Sequence, residues 1–82
     1  MPSPAQRVYL RALLALGDRA ATLEEVRAHI HGGKRNTTGP TRKALNTLTR
    51  SGHVDTRFDD ANHLDLFWLT EPGELEAKGP RR

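Results

Sequence analysis

Within ten residues of this chain, Thr41, Arg42, Lys43, Asn46, Thr49 and Arg50 occur with no acid and no bulky apolar side chain between their positions on the far side of a leucine stripe. Guanidinium, ammonium, amide and hydroxyl groups supply charge-assisted and neutral hydrogen bonds. Together they suit a partner that is negatively charged and rich in hydrogen-bonding groups. Lys34, Arg35 and Asn36 precede this stretch and are placed to meet phosphates beside it. Other chemistries are poorly supplied. His29 and His31 form an H-x-H pair, but residues two apart on a helix do not share a face. The chain has no cysteine. No metal site and no cofactor is therefore expected. His53 and His63 are read as solvated residues at element ends. Ser51 has neither a nucleophile turn nor a shielded cleft around it, so no catalytic residue is assigned and the chain is not read as an enzyme. Gly32-Gly33-Lys34 lacks the spacing of a phosphate-binding loop.

The elements that must position these groups follow from local signals. Residues 38 to 57 read TGPTRKALNTLTRSGHVDTR. A helix is expected from about Gly39-Pro40, with Thr38 as N-cap and proline at the first helical position, where a missing amide costs nothing. Ala44, Leu45 and Leu48 give the buried stripe, and Gly52 ends the helix by taking left-handed backbone angles. Ser3-Pro4-Ala5-Gln6 is a capping box, predicting a first helix from Pro4 to Leu16 that stops at Gly17-Asp18. Thr22-Leu23-Glu24-Glu25 is a second, opening a short helix to His29 or Ile30 with Leu23, Val26 and Ile30 inward. Val54 to Phe58 and Leu64 to Leu69 read as two strands joined by the polar turn Asp59 to His63. Thr70 is expected to cap a last helical turn through Glu76, with Leu75 inward.

Charge is divided sharply along the chain. Residues 31 to 57 hold six Lys or Arg against Asp55 alone, whereas residues 58 to 76 hold six acids and no Lys or Arg. Basic charge thus coincides with the third helix, as expected of a nucleic-acid binder. Eighty-two residues with 35% hydrophobic content predict one domain with a modest core, spanning 3 to 76 and followed by a short basic tail, 77 to 82. The lack of cysteine, of a signal-like segment and of any run approaching a membrane span predicts a cytoplasmic protein without a membrane partner.

Three helices followed by a hairpin resemble the winged helix-turn-helix family, an α+β fold with a two-stranded wing and a short C-terminal helical turn. Residues 41 to 54, TRKALNTLTRSGHV, resemble the family's recognition helix with its terminal Gly-x-Val. Phe67-Trp68-Leu69-Thr70-Glu71-Pro72-Gly73 resembles the second wing strand and the Leu-Thr-x-x-Gly turn into a final helix. The resemblance implies sequence-specific binding of double-stranded DNA, the third helix lying in the major groove, most often in a dimeric transcriptional repressor. Carried over by position, Thr38, Thr41, Arg42 and Asn46 would face base edges. Lys34, Arg35, Lys43 and Arg50 would hold phosphates, with Asn36 beside them, and Arg57 would reach backbone or minor groove from the wing. The chain departs from the family at the wing tip, which here carries Asp59 and Asp60 with Asp65 close behind. A second reading is therefore a winged-helix module that docks on protein, or an accessory domain of a replication or translocation system. Tyr9, Leu16, Leu66 and Trp68 are the candidates for a homodimer or partner contact.

Overall fold

The structure is a computed structural model that describes residues 3–17 and 20–78. Chain order gives α1 (Pro4–Leu16), β1 (Ala21–Thr22), α2 (Leu23–His31), α3 (Thr38–Arg50), β2 (Val54–Asp59), β3 (Leu64–Leu69) and α4 (Glu71–Lys78). Among the described residues the fold is α+β, four helices with one antiparallel sheet of order β1-β3-β2.

Both capping boxes form. The Ser3 hydroxyl accepts from the Gln6 amide and the Gln6 side chain accepts from the Ser3 amide, which fixes the start of α1. Thr22 and Glu25 repeat the exchange at α2. Gly17 and Gly52 take φ of 104° and 88°, a region open to glycine at little cost, directly after α1 and past α3. Asp18, expected to share in ending α1, lies outside the described residues.

The sheet has three strands rather than the two expected. Ala21 pairs with Phe67 and Thr22 with Leu66. Two residues are too few to show alternation, and Thr22 also caps α2, so the same dipeptide serves as strand and cap. The β2–β3 hairpin pairs Val54 with Leu69 through to Asp59 with Leu64. Asp59 builds its turn by accepting from the Ala61 amide and the Asn62 side chain. These bonds, Asn62 foremost, hold the Asp59 carboxyl below its ordinary pKa, with Arg57 adding to the effect.

Leu10, Leu13, Val26, Leu45, Leu48, Val54 and Phe67 form the core between α1, α2, α3 and the sheet. Three further expectations are corrected. The N-cap of α3 is Thr37, and the helix begins at Thr38. Leu75 is 66% exposed. In its place Gly73 and Ala77, one turn apart on α4, face inward. The reason is steric: α4 lies so close to the His53 carbonyl that only small residues fit the inward face, and a Cβ on Gly73 would stand 1.8 Å from that oxygen. Helix α4 continues past Glu76 to Lys78, with Ala77 buried. Residues 79 to 82 of the expected tail lie outside the described residues. Among the described residues no helix is long and apolar enough to cross a membrane.

Candidate nucleic-acid interface

Helix α3 is amphipathic in a way that decides which groups can meet a ligand. Thr41, Leu45 and Leu48, at i, i+4 and i+7, are buried. The opposite ridge, Thr38, Arg42, Asn46 and Arg50, is exposed at every position, one turn apart, and Lys43 stands beside it. The thirteen-residue helix is about 20 Å long at ~1.5 Å per residue, and no acidic side chain lies within it. Arg50 in the last turn also complements the negative end of the helix dipole.

Thr41 does not belong to the exposed surface. It is fully buried, and its hydroxyl donates to the Thr37 carbonyl at 2.7 Å. A threonine bonded back to the preceding turn has no polar atom left to satisfy and packs like valine. Thr47 and Thr49 are similarly bonded, to the carbonyls of Lys43 (3.0 Å) and Leu45 (2.8 Å). The hydrogen-bonding groups of this face that are not tied to the helix backbone therefore come from Arg42, Lys43, Asn46, Arg50 and the first-turn Thr38.

Residues 32 to 37 bring Lys34, Arg35 and Asn36 to the N-terminal end of α3, all three exposed. Asn36 sits at φ 60°, a left-handed conformation that asparagine tolerates better than most residues. The loop is pinned by a residue that the sequence did not single out, Arg27 of α2. Its Nη1 donates to the carbonyls of Gly32 (3.1 Å) and Lys34 (3.4 Å) and to the Thr37 hydroxyl (3.1 Å). Its Nε donates to Glu24 Oε1 (3.0 Å) while Nη2 contacts the other carboxylate oxygen, a two-pronged pair within α2. The Arg27 hydrogen bonds hold the Glu24 carboxyl below its ordinary range, and Glu24 in return raises Arg27. Thr37 closes the set by donating to the Lys34 carbonyl at 3.1 Å. Arginine is suited to this task, because one planar fork reaches several acceptors at once.

The hairpin meets this surface at a single ion pair among the described residues: Arg42 Nη1 lies 3.4 Å from Asp65 Oδ2. Strand alternation explains the reach. Val54 is buried, so Thr56 and Phe58 share its side of the sheet, as does Asp65, which stands opposite Phe58. The same rule puts Arg57 on the other side with Asp55 and Asp59, so Arg57 is not brought together with the α3 residues. At the hairpin end Phe58 (51% exposed) and Leu64 (44% exposed) reach solvent, and the Phe58 ring lies 6.4 Å from that of His63.

The residues expected at a dimer contact separate in the fold. Tyr9 is buried, and its hydroxyl meets His31 Nε2 at 3.2 Å, so it offers no docking surface. Leu16 is half-buried and packs on the core. Leu66 and Trp68 are half-buried on the side of the sheet opposite Phe67, and Trp68 lines a small cavity with Leu14, Gly17, Leu69 and Glu74. His53 is occupied by Ser51, Oγ to Nδ1 at 2.6 Å. Among the described residues no three His, Cys, Asp or Glu side chains gather closely enough to hold a metal. No protein-family model and no curated protein matches the chain.

Proposed function

We propose that the chain is a winged helix-turn-helix protein that binds double-stranded DNA, with α3 in the major groove, and acts as a transcriptional regulator, in its simplest form a repressor. The observation that carries this reading is the acid-free, exposed face of α3 continued by the Arg27-anchored loop. It places five cationic side chains, Lys34, Arg35, Arg42, Lys43 and Arg50, along one helix and the turn that leads into it. A B-form major groove admits a helix of this diameter. Arg42 and Asn46 supply the side chains that read guanine and adenine bidentately, Thr38 stands beside them, and the remaining cations fix register on phosphates. Thr41 takes no part.

Titration of a labelled random-sequence duplex at rising salt tests the proposal. Neutralising four to five phosphates gives a slope of log K against log salt of roughly −4. Absence of binding at low salt, or binding indifferent to salt, overturns it. A specific observation favours a second reading, a module that docks on protein through the hairpin: Phe58 and Leu64 are exposed beside Asp60. Loss of function on substituting Phe58 and Leu64, with DNA affinity intact, would support that alternative.

A further inference from the structure

We propose that Asp65 sets the base selectivity of α3 by holding Arg42, an inference that rests on the DNA-binding reading above. The pair is built from two rigid elements. Arg42 lies in the second turn of α3, and Asp65 lies within β3, paired to Phe58 and turned toward the side of the sheet that α3 meets. Their side chains are 51% and 39% exposed, so both stand where a ligand on α3 would arrive. As a stabiliser of the fold such an exposed pair does little. Its effect on a ligand is larger.

Three consequences follow from the chemistry of the two groups. The carboxylate takes one Nη1 donor, which leaves the Nε–Nη2 edge of the guanidinium free to meet the O6 and N7 acceptors of guanine. A tethered arginine also loses less freedom on binding than an untethered one, so the correct base is met at smaller entropic cost. Finally, a carboxylate beside the guanidinium repels phosphate oxygens, so Arg42 gains little by swinging to the backbone on an unmatched sequence. Asp65 thus weakens non-specific binding more than specific binding. The acidic residue that departs from the family's basic wing becomes a selectivity device.

The test compares wild type, Asp65→Asn, Asp60→Asn, Arg42→Gln and Arg42→Gln/Asp65→Asn on two duplexes, one random and one selected by the wild type from a random library. Circular dichroism confirms that each variant is folded. Asp65→Asn is expected to bind the random duplex roughly threefold to tenfold more tightly near 0.1 M salt, with a salt slope steeper by about 0.9, because Arg42 then acts as one more phosphate contact. Its preference for the selected duplex over the random one falls by about fivefold or more. Asp60→Asn removes the same charge without touching Arg42 and should leave that preference unchanged, and the Asp65 effect should vanish in the Arg42→Gln background. An equal effect from Asp60→Asn, or an unchanged preference in Asp65→Asn, overturns the role of Asp65 while leaving DNA binding standing. Failure of the wild type to bind any duplex overturns both.

Discussion

Replacing Gly73 by alanine adds a single methyl group, and the structure predicts a large loss of stability from it. The new Cβ would lie 1.8 Å from the His53 carbonyl oxygen and 2.8 Å from its carbon, both backbone atoms that cannot rotate aside. Relief therefore requires α4 to move off residues 52 and 53 by more than an ångström. That movement opposes two contacts that fasten the helix, the Thr70 amide to the His53 carbonyl (3.2 Å) and the Thr70 hydroxyl to the Gly52 carbonyl (2.6 Å). Overpacking at a rigid site costs about 3 kcal/mol, and a weakened hydrogen bond adds about 1 kcal/mol. The better helix propensity of alanine returns about 1 kcal/mol. The net loss is about 3 kcal/mol, a large part of the ~5–15 kcal/mol typical of a domain. Urea unfolding followed by circular dichroism measures it, and the melting temperature should fall by roughly 12–24 °C. Gly33→Ala is the control: no atom lies within 4 Å of its Cβ position and its φ is not left-handed, so it should be neutral or stabilise by up to about 1 kcal/mol. A Gly73→Ala protein as stable as the wild type would refute the claim that α4 sits on the His53 backbone.

Two further predictions concern the loop before α3. Arg27→Ala releases the carbonyls of Gly32 and Lys34 and should lower the urea unfolding midpoint, with weaker duplex binding as the Lys34–Asn36 segment loses its anchor. Arg27→Lys should recover less than half of either loss, since an ammonium cannot span the same acceptors; full recovery would show that charge alone matters. The Glu24 carboxyl is depressed in the folded protein, so its contribution is complete above its unfolded pKa of about 4.3 and is lost as pH falls through the lower folded value. Loop amide shifts of Gly32 to Thr37 followed by NMR should therefore change only as pH falls below the ordinary carboxylate range, and Glu24→Gln should abolish that transition. A transition that persists in Glu24→Gln would contradict the assignment.

The sequence carries the local features of this fold better than its tertiary ones. Ser3 with Gln6 and Thr22 with Glu25 are short-range signals, and each marks its helix start to the residue because both partners lie within one turn. The bounds of α1 and β3 follow in the same way from Gly17 and from the apolar run Leu64 to Leu69. β1 was not legible, since Ala21-Thr22 becomes a strand only when β3 lies alongside. Leu75 was expected inward because leucine usually is; the approach of α4 to His53 reverses that, and no local pattern around Gly73 reveals a carbonyl from twenty residues away. At the candidate interface, the exposed ridge Arg42, Asn46 and Arg50 was readable from helical spacing. The burial of Thr41 was also present in the spacing, at four and seven residues from Leu45 and Leu48, but its hydroxyl argued for solvent. Arg27 gave no signal beyond its place three residues after Glu24, because its acceptors are backbone carbonyls of a loop whose path only the folded chain defines.

The most direct test of the central claim is duplex binding by anisotropy for the wild type, for Arg42→Ala/Lys43→Ala, and for Arg11→Ala/Lys78→Ala. The last removes the same charge from exposed positions on α1 and α4. The account predicts that the α3 variant binds far more weakly than the wild type, with a slope smaller by about 0.9 for the lost Lys43 phosphate contact, while the control keeps most of the wild-type affinity and slope. Equal losses in the two variants, or full binding by the α3 variant, would contradict the assignment of the DNA surface to α3.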